Sequence, residues 1–330
     1  MAFVPIDKEE SLTEIPPEHA SSKCHTNFIS KLPTREGWSQ PLVLYKDYWF
    51  RPQLLENILV AQDTYMPRSN DVILATQPKC GTTWLKALCF TIVNRSQYSF
   101  SNHPLLTRNP QHVVPFIEIR NEGGDHNYIE SLPSPRLLST HMPLSFIPIE
   151  TKNQSCRIVY LCRDPKDAFV SRWYFENKLF NGCSLDLGKI FDMFCEGFSP
   201  YGPFWNHFLE YWKASMERPE KVMFLKYEDI KSDPALVVRK LADFLGMPFT
   251  KAEDDGGIPE QVVKLCDFET LASLQVNQTG LVRGKNYELH NSVFFRKGRV
   301  GDWVNHISEE MAGRLDRIVQ EKLIGSGLTF

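Results

Sequence analysis

The sequence predicts an α/β fold: a single domain with a central, mainly parallel sheet flanked by helices. Three observations carry this expectation. Short apolar runs of the kind buried parallel strands show recur at Val72-Ile73-Leu74-Ala75, Ile158-Val159-Tyr160-Leu161 and Val222-Met223-Phe224-Leu225. Segments of helical period follow them. Each run ends in polar residues, the place where open α/β sheets bind ligands.

Taken in order, residues 1–40 are rich in Pro, Ser, Thr and acidic side chains and hold no apolar signal core, so they read as a flexible lead-in, disordered to about residue 22. The acidity also argues against a transit peptide. No repeat or linker divides 41–330, which is expected to be one domain. Leu42–Tyr45 and Tyr48–Phe50 read as short strands around a Lys46-Asp47 turn, and Arg51-Pro52 opens a helix to about 61. The loop-rich stretch 96–134, with Pro104, Pro110, Pro115 and Gly123-Gly124, is expected to be a lid or binding loop. Leu137-Leu138-Ser139-Thr140 is a short strand that delivers His141. The strand 157–162 runs into Arg163-Asp164-Pro165-Lys166-Asp167, a helix start with Asp164 as N-cap and Pro165 at the first helical position; Ser171 lies about two turns in. The helix 203–216 carries Phe204, Trp205, Phe208, Leu209 and Trp212 for the core, the third core strand ends at Tyr227-Glu228-Asp229, and a last helix spans 308–323.

A chain of 330 residues with a net charge of −3 lacks the positive field that nucleic acid demands, so no nucleic-acid partner is expected. No apolar run reaches bilayer length, so no membrane span is expected either. The eight cysteines are scattered without paired close spacing, which argues against a disulfide framework or zinc site and for a reducing, cytoplasmic setting.

The chemistry centres on Thr76-Gln77-Pro78-Lys79-Cys80-Gly81-Thr82-Thr83-Trp84, a P-loop-like strand–loop–helix. The free N–H groups and positive dipole end of the new helix attract an anion. Gly81 permits close backbone approach, Lys79 adds charge, and Thr82 and Thr83 add hydroxyls. This is not a Walker loop, which needs a glycine directly before its lysine. An ordinary capped turn would explain most of the same residues.

Further polar groups stand at other strand ends: His141, then Arg163 with Ser171. The run Arg296-Lys297-Gly298-Arg299, followed by Gly301-Asp302-Trp303, adds a basic loop. Four motifs in this chain order, Pro78–Lys86, Arg163–Asp167, Phe224–Asp229 and Arg296–Gly298 with Gly301–Trp303, resemble the cytosolic sulfotransferases, and wording such as Leu225-Lys226-Tyr227-Glu228-Asp229 is similar to the plant branch. The resemblance covers roughly 42–328. It implies transfer of a sulfonate from 3′-phosphoadenosine 5′-phosphosulfate (PAPS) to a hydroxyl of a small-molecule acceptor, leaving 3′-phosphoadenosine 5′-phosphate (PAP), with no metal. Lys79, Cys80, Gly81, Thr82 and Thr83 would hold the phosphosulfate. His141 would be the base. Arg163, Ser171, Arg296, Lys297 and Gly298 would grip the 3′-phosphate. Trp84 and Phe268 would sandwich the adenine and Tyr227 would bond its edge, beside Cys266 and Asp267. Phe116, Ser139 and Phe175 are expected in the wall of a largely apolar acceptor pocket, closed by 96–134 and 282–295. The C-terminal region lacks the dimer motif associated with animal members, so a monomer or weak homodimer is expected.

Four residues depart from the family pattern: Gln77 in place of a frequent Tyr, Cys80 in place of Ser, Asp267 before the stacking Phe, and Arg172 where an aromatic is common. Cys80 reads first as a tolerated swap in a loop that binds mainly through backbone N–H groups; the sharper alternative, from its place at a helix N-terminus beside a lysine, is a lowered thiol pKa and sensitivity to oxidation. Asp267 would repel the 3′-phosphate unless it is paired or turned away. Arg172 suggests an acidic acceptor, and phenolic, steroid, hydroxyjasmonate and desulfoglucosinolate types all remain open. Two rival readings are a nucleotide-kinase-like phosphotransferase, which would need metal-holding acids, and a decayed PAPS- or PAP-binding protein.

Overall fold

The structure, a computed structural model, describes residues 25–119, 127–148, 156–180, 184–284 and 287–330. Its centre is a parallel sheet of four strands, β4 (Val72–Thr76), β5 (Leu137–Thr140), β6 (Arg157–Cys162) and β7 (Val222–Lys226), in the order β5-β4-β6-β7. An antiparallel sheet precedes it, made of β1 (Thr34–Arg35), β2 (Leu42–Tyr45) and β3 (Tyr48–Phe50).

Strand alternation splits the core in two. Ile73, Ala75, Leu138, Ile158 and Tyr160 belong to one apolar cluster, and Val72, Leu74, Val159 and Leu161 to the other. The first face is covered by α1 (Pro52–Thr64), α3 (Pro165–Leu179), α4 (Leu187–Cys195), α5 (Phe204–Glu217) and α10 (Glu309–Leu323). The second is covered by α2 (Thr82–Asn94), α7 (Pro234–Phe244) and α8 (Ile258–Cys266). The single α/β domain and its parallel sheet are as the sequence predicts.

Chain order places β5 on one side of β4 and β6 on the other, so β4 is the switch point of the sheet. The register aligns the strand ends: Ala75 pairs with Thr140, Thr76 with Leu161, and Cys162 with Lys226. The residues that follow, Gln77 to Lys79, His141, Arg163 and Tyr227, therefore leave the sheet along one edge.

Three details differ from the sequence reading. Residues 25–40, counted there in the lead-in, pack onto the domain: Ile29 and Trp38 are buried, and Trp38 Nε1 donates to Phe198 O at 2.8 Å. Residues 1–24 lie outside the described residues. Tyr227 does not end a strand but opens a short helix, α6 (Tyr227–Ser232). Cys24 and Cys183 also lie outside the described residues, and the other six cysteines are free and buried.

Candidate active site

A cavity of about 1150 Å³ lies at the C-terminal edge of the sheet. That exceeds the volume usual for a pocket holding one small ligand, and leaves room for two.

The loop after β4 forms its floor. Lys79 takes φ 74° and Gly81 φ 108°. A Cβ on Gly81 would stand 2.9 Å from the Tyr227 ring and 3.0 Å from Leu161, so only glycine fits. Gly81 is the N-cap of α2 and supplies no side-chain cap, so the first N–H groups of the helix are left for a ligand. Thr82 Oγ1 shares a hydrogen bond with Thr76 Oγ1 at 2.7 Å. Gln111 Nε2 donates to Thr83 Oγ1 at 3.0 Å, which leaves the Thr83 proton free for an acceptor. Gln111 is itself fixed by buried Lys86, whose Nζ donates to its Oε1 at 2.6 Å.

Lys79 Nζ lies 4.1 Å above the Phe175 ring. Burial, then the nearby charges of Arg172, Arg163 and Arg296, pull its pKa down to about 7. Asp167, Asp302 and Glu176 each pair with one of these arginines, yet the cations gathered around Lys79 still suit this edge to a polyanion.

Arg163 leaves β6 and donates from Nη2 to Arg299 O at 2.6 Å, while Asp167 accepts from Gly301 N at 2.7 Å and Trp303 N at 3.0 Å. Asp164 caps α3 through the N–H groups of Lys166 and Asp167. Arg296 pairs with Asp302 at 2.6 Å. Thus the basic loop 296–303 is tied to the start of α3. Two guanidinium nitrogens, Arg163 Nε and Arg296 Nε, are buried with no partner among the described residues, as is Trp84 Nε1. Buried donors of this kind rarely stay unsatisfied in a finished site, and Arg163, Trp84 and Arg296 all line the cavity.

His141 is fixed from both sides. Its N–H donates to Glu118 Oε1 at 2.8 Å, and its carbonyl accepts from His207 Nε2 at 3.0 Å. Its Nδ1 is 2.8 Å from Thr76 O, an atom that can only accept, so the proton sits on Nδ1 and Nε2 keeps its lone pair. Burial, joined by the charges of Lys86 and Arg172, lowers its pKa to about 3. The ring is neutral at any working pH. This arrangement can take a proton at Nε2 beside an anion-binding floor.

A family model described as Sulfotransferase domain matches residues 69–327. The chain belongs to the sulfotransferase family. Cytosolic sulfotransferase 17 of Arabidopsis thaliana is 42% identical over 317 residues, which span 93% of this chain and 90% of its own length. Cytosolic sulfotransferase 1 of the same plant is 43% identical, over 92% of this chain and 93% of its own. A solved Arabidopsis sulphotransferase superposes with a TM-score of 0.72 at 38% identity, covering 92% of this chain and 94% of that one. Retinol dehydratase in a complex with androsterone shares the fold, with a TM-score of 0.69 at 20% identity over 96% and 97% of the two chains.

In this sulfotransferase the cavity brings together Lys79, Gly81, Thr82, Thr83, Trp84, His141, Arg163, Ser171, Tyr227, Cys266, Asp267, Phe268, Arg296, Lys297 and Gly298, with Phe116 and Phe175 on its wall. Trp84 meets Tyr227 edge-on at 5.3 Å, and Phe268 lies 6.0 Å from Phe295. Asp267 is held as the N-cap of α9 (Phe268–Ser273), accepting from Thr270 N and Oγ1 at 2.8 and 2.7 Å. Segments 96–134 and 282–295 both contribute to the wall, the latter through a hairpin of β8 (Leu281–Gly284) and β9 (Tyr287–His290).

Two expectations are corrected. Ser139 is fully buried and does not line this cavity: the stretch around Phe116 pairs with the free edge of β5, and Ser139 Oγ donates to Pro115 O at 3.0 Å. The same pairing turns Phe116 toward His141, 4.8 Å between rings. The Cys80 side chain is likewise fully buried, within the apolar core. Burial pushes its thiol up to about 12, the reverse of an activated thiol, because desolvation outweighs the nearby guanidinium groups.

The sequence reading missed Glu118, which holds the His141 amide, Asp167, which anchors the basic loop, and the Arg51–Glu176 pair on the cavity wall. Of these only Asp167 left a signal, its place four residues after Arg163.

Proposed function

We propose that this chain transfers a sulfonate from PAPS to a hydroxyl of a small-molecule acceptor and releases PAP. One observation carries the reading: three cations, Lys79, Arg163 and Arg296, converge with the helix N-terminus on one end of a two-ligand cavity, two of them with unpartnered buried nitrogens. That donor set fits a nucleotide bearing phosphate groups at two positions. PAPS, when bound, supplies the sulfonate that is transferred.

Lys79, Thr83 Oγ1 and the first N–H groups of α2 hold the phosphosulfate end. Arg163, Arg296 and the loop 296–298 hold the 3′-phosphate. The hydroxyl proton of the acceptor passes to His141 Nε2, whose partner Thr76 O keeps the ring in the accepting tautomer. Lys79 as an ammonium stabilises the negative charge that grows where the leaving phosphate oxygen sits. Trp84, Phe268 and Tyr227 offer the flat apolar slot a purine needs. The curated relatives are named cytosolic sulfotransferases, which supports the cytosol as the place of reaction. The test is transfer of labelled sulfonate from PAPS to a panel of phenols and alcohols. Label should appear in product with the wild-type protein and fall about 10²–10⁴-fold with His141→Ala. No transfer to any acceptor despite tight PAP binding would favour a decayed binding protein.

A further inference from the structure

We propose that the acceptor carries a carboxylate in addition to its hydroxyl, and that Arg172 and Arg51 bind that carboxylate inside the cavity. The inference rests on the sulfotransferase reading and names the substrate class of the same site.

Arg51 leaves β3, Arg172 and Glu176 lie one turn apart on α3, and all three line the cavity. Glu176 has no exposed surface and Arg172 is 5% exposed. Arg172 Nε donates to Glu176 Oε1 at 3.1 Å, and Arg51 pairs with Glu176 Oε2. One carboxylate therefore serves two guanidinium groups. Burial alone would raise the Glu176 pKa, but Arg51 and Arg172 outweigh it and hold the carboxyl ionised. The pair of arginines still keeps a surplus positive charge. Lys79 is close enough to Arg172 for their charges to interact and, when protonated, adds to that surplus.

The unused donors point the same way. The terminal nitrogens of Arg172 have no hydrogen bond to any described residue. Arg51 Nε is buried without a partner among the described residues. A buried guanidinium that is only half matched is costly, and a planar carboxylate offers it the two-point partner it lacks.

Apart from Lys79, which feels the charge of Arg172, the neighbours of this group lie outside the nucleotide end. Arg51 sits over Phe180 at 5.0 Å and beside Ser39, Arg172 lies over Trp38 at 5.9 Å, and none of these neighbours belongs to the proposed nucleotide contacts. Yet Arg172 is near enough to His141 and Lys79 to depress both. A hydroxy acid held by Arg172 would thus have its far end anchored within reach of the base.

The experiment uses matched pairs with one hydroxyl and one acid or ester: 4-hydroxycinnamate and its methyl ester, and 12-hydroxydodecanoate and its methyl ester. kcat/KM for labelled sulfonate transfer is measured with wild type, Arg172→Gln and Glu176→Gln, and PAP titration calorimetry checks each protein. In at least one pair the acid should exceed its ester by about tenfold or more, as for a site built around a polar group. Arg172→Gln should erase the preference by slowing the acid. Glu176→Gln, which removes the competing carboxylate, should keep or widen it, whereas a merely structural cluster would lose activity toward both members. The proposal is overturned if esters serve as well as acids, if the preference survives Arg172→Gln, if that change slows acid and ester alike, or if neither acid is transferred. Failure of PAP to bind wild type would instead remove the sulfotransferase reading itself.

Discussion

Lys79 gives the sharpest quantitative test. Burial and three guanidinium groups hold its pKa in the free site near 7. An anion bound against it must raise that value, so binding takes up a proton, and affinity falls as pH rises through about 7. At pH 7 about half the free sites carry the ammonium and at pH 9 about one in a hundred, so PAP affinity should drop about 50-fold between them, roughly 2.3 kcal/mol. Titration calorimetry at pH 7, 8 and 9 in two buffers of different ionisation enthalpy reads both affinity and proton uptake. Uptake should climb from about one half to about one proton per PAP. Lys79→Met should bind more weakly and show neither trend. An affinity that stays flat from pH 7 to 9 with no proton uptake would refute the reasoning, because it would mean that Lys79 is already charged in the free site.

The other predictions follow the same geometry. Burial and nearby cations hold His141 neutral with a pKa of about 3, so with an aliphatic alcohol as acceptor the acid limb of the kcat/KM profile should lie well below pH 6. His141→Ala should leave PAP affinity within about threefold while turnover collapses. Asp167→Ala frees Gly301 N, Trp303 N and the Arg163 ion pair at 3.2 Å, so PAP affinity should fall by about tenfold or more and limited proteolysis should cut within 296–303. Gly81→Ala forces a side chain into φ 108° against Tyr227 and should cost about 1–3 kcal/mol by thermal or denaturant melting. Iodoacetamide at pH 8 should leave Cys80 of the native protein unmodified, as mass spectrometry would show, because the thiol is buried and pushed up to about 12.

What the sequence made legible was local. Apolar runs marked β4, β6 and β7, and Asp164-Pro165 marked the start of α3, because strand burial and helix capping are decided within a few residues. Lys79, His141 and Arg163 could be placed together because parallel strands deliver their C-terminal residues to one edge. What escaped was set by partners distant in the chain. Ser139 was expected on the acceptor wall, and nothing local announces that the chain around Phe116 comes back to cover it. Cys80 has the neighbours of an activated thiol, but its orientation into the apolar core decides its chemistry. Arg51 and Glu176 stand 125 positions apart, and no spacing rule connects them.

The most direct test of the central reading is titration calorimetry with PAP against adenosine 5′-phosphate, on wild type and Arg296→Ala. The account predicts tight binding of PAP, a loss of about 10²-fold or more without the 3′-phosphate, and a comparable loss for PAP when Arg296 is removed. Equal affinity for the two nucleotides, or indifference to Arg296, would contradict it.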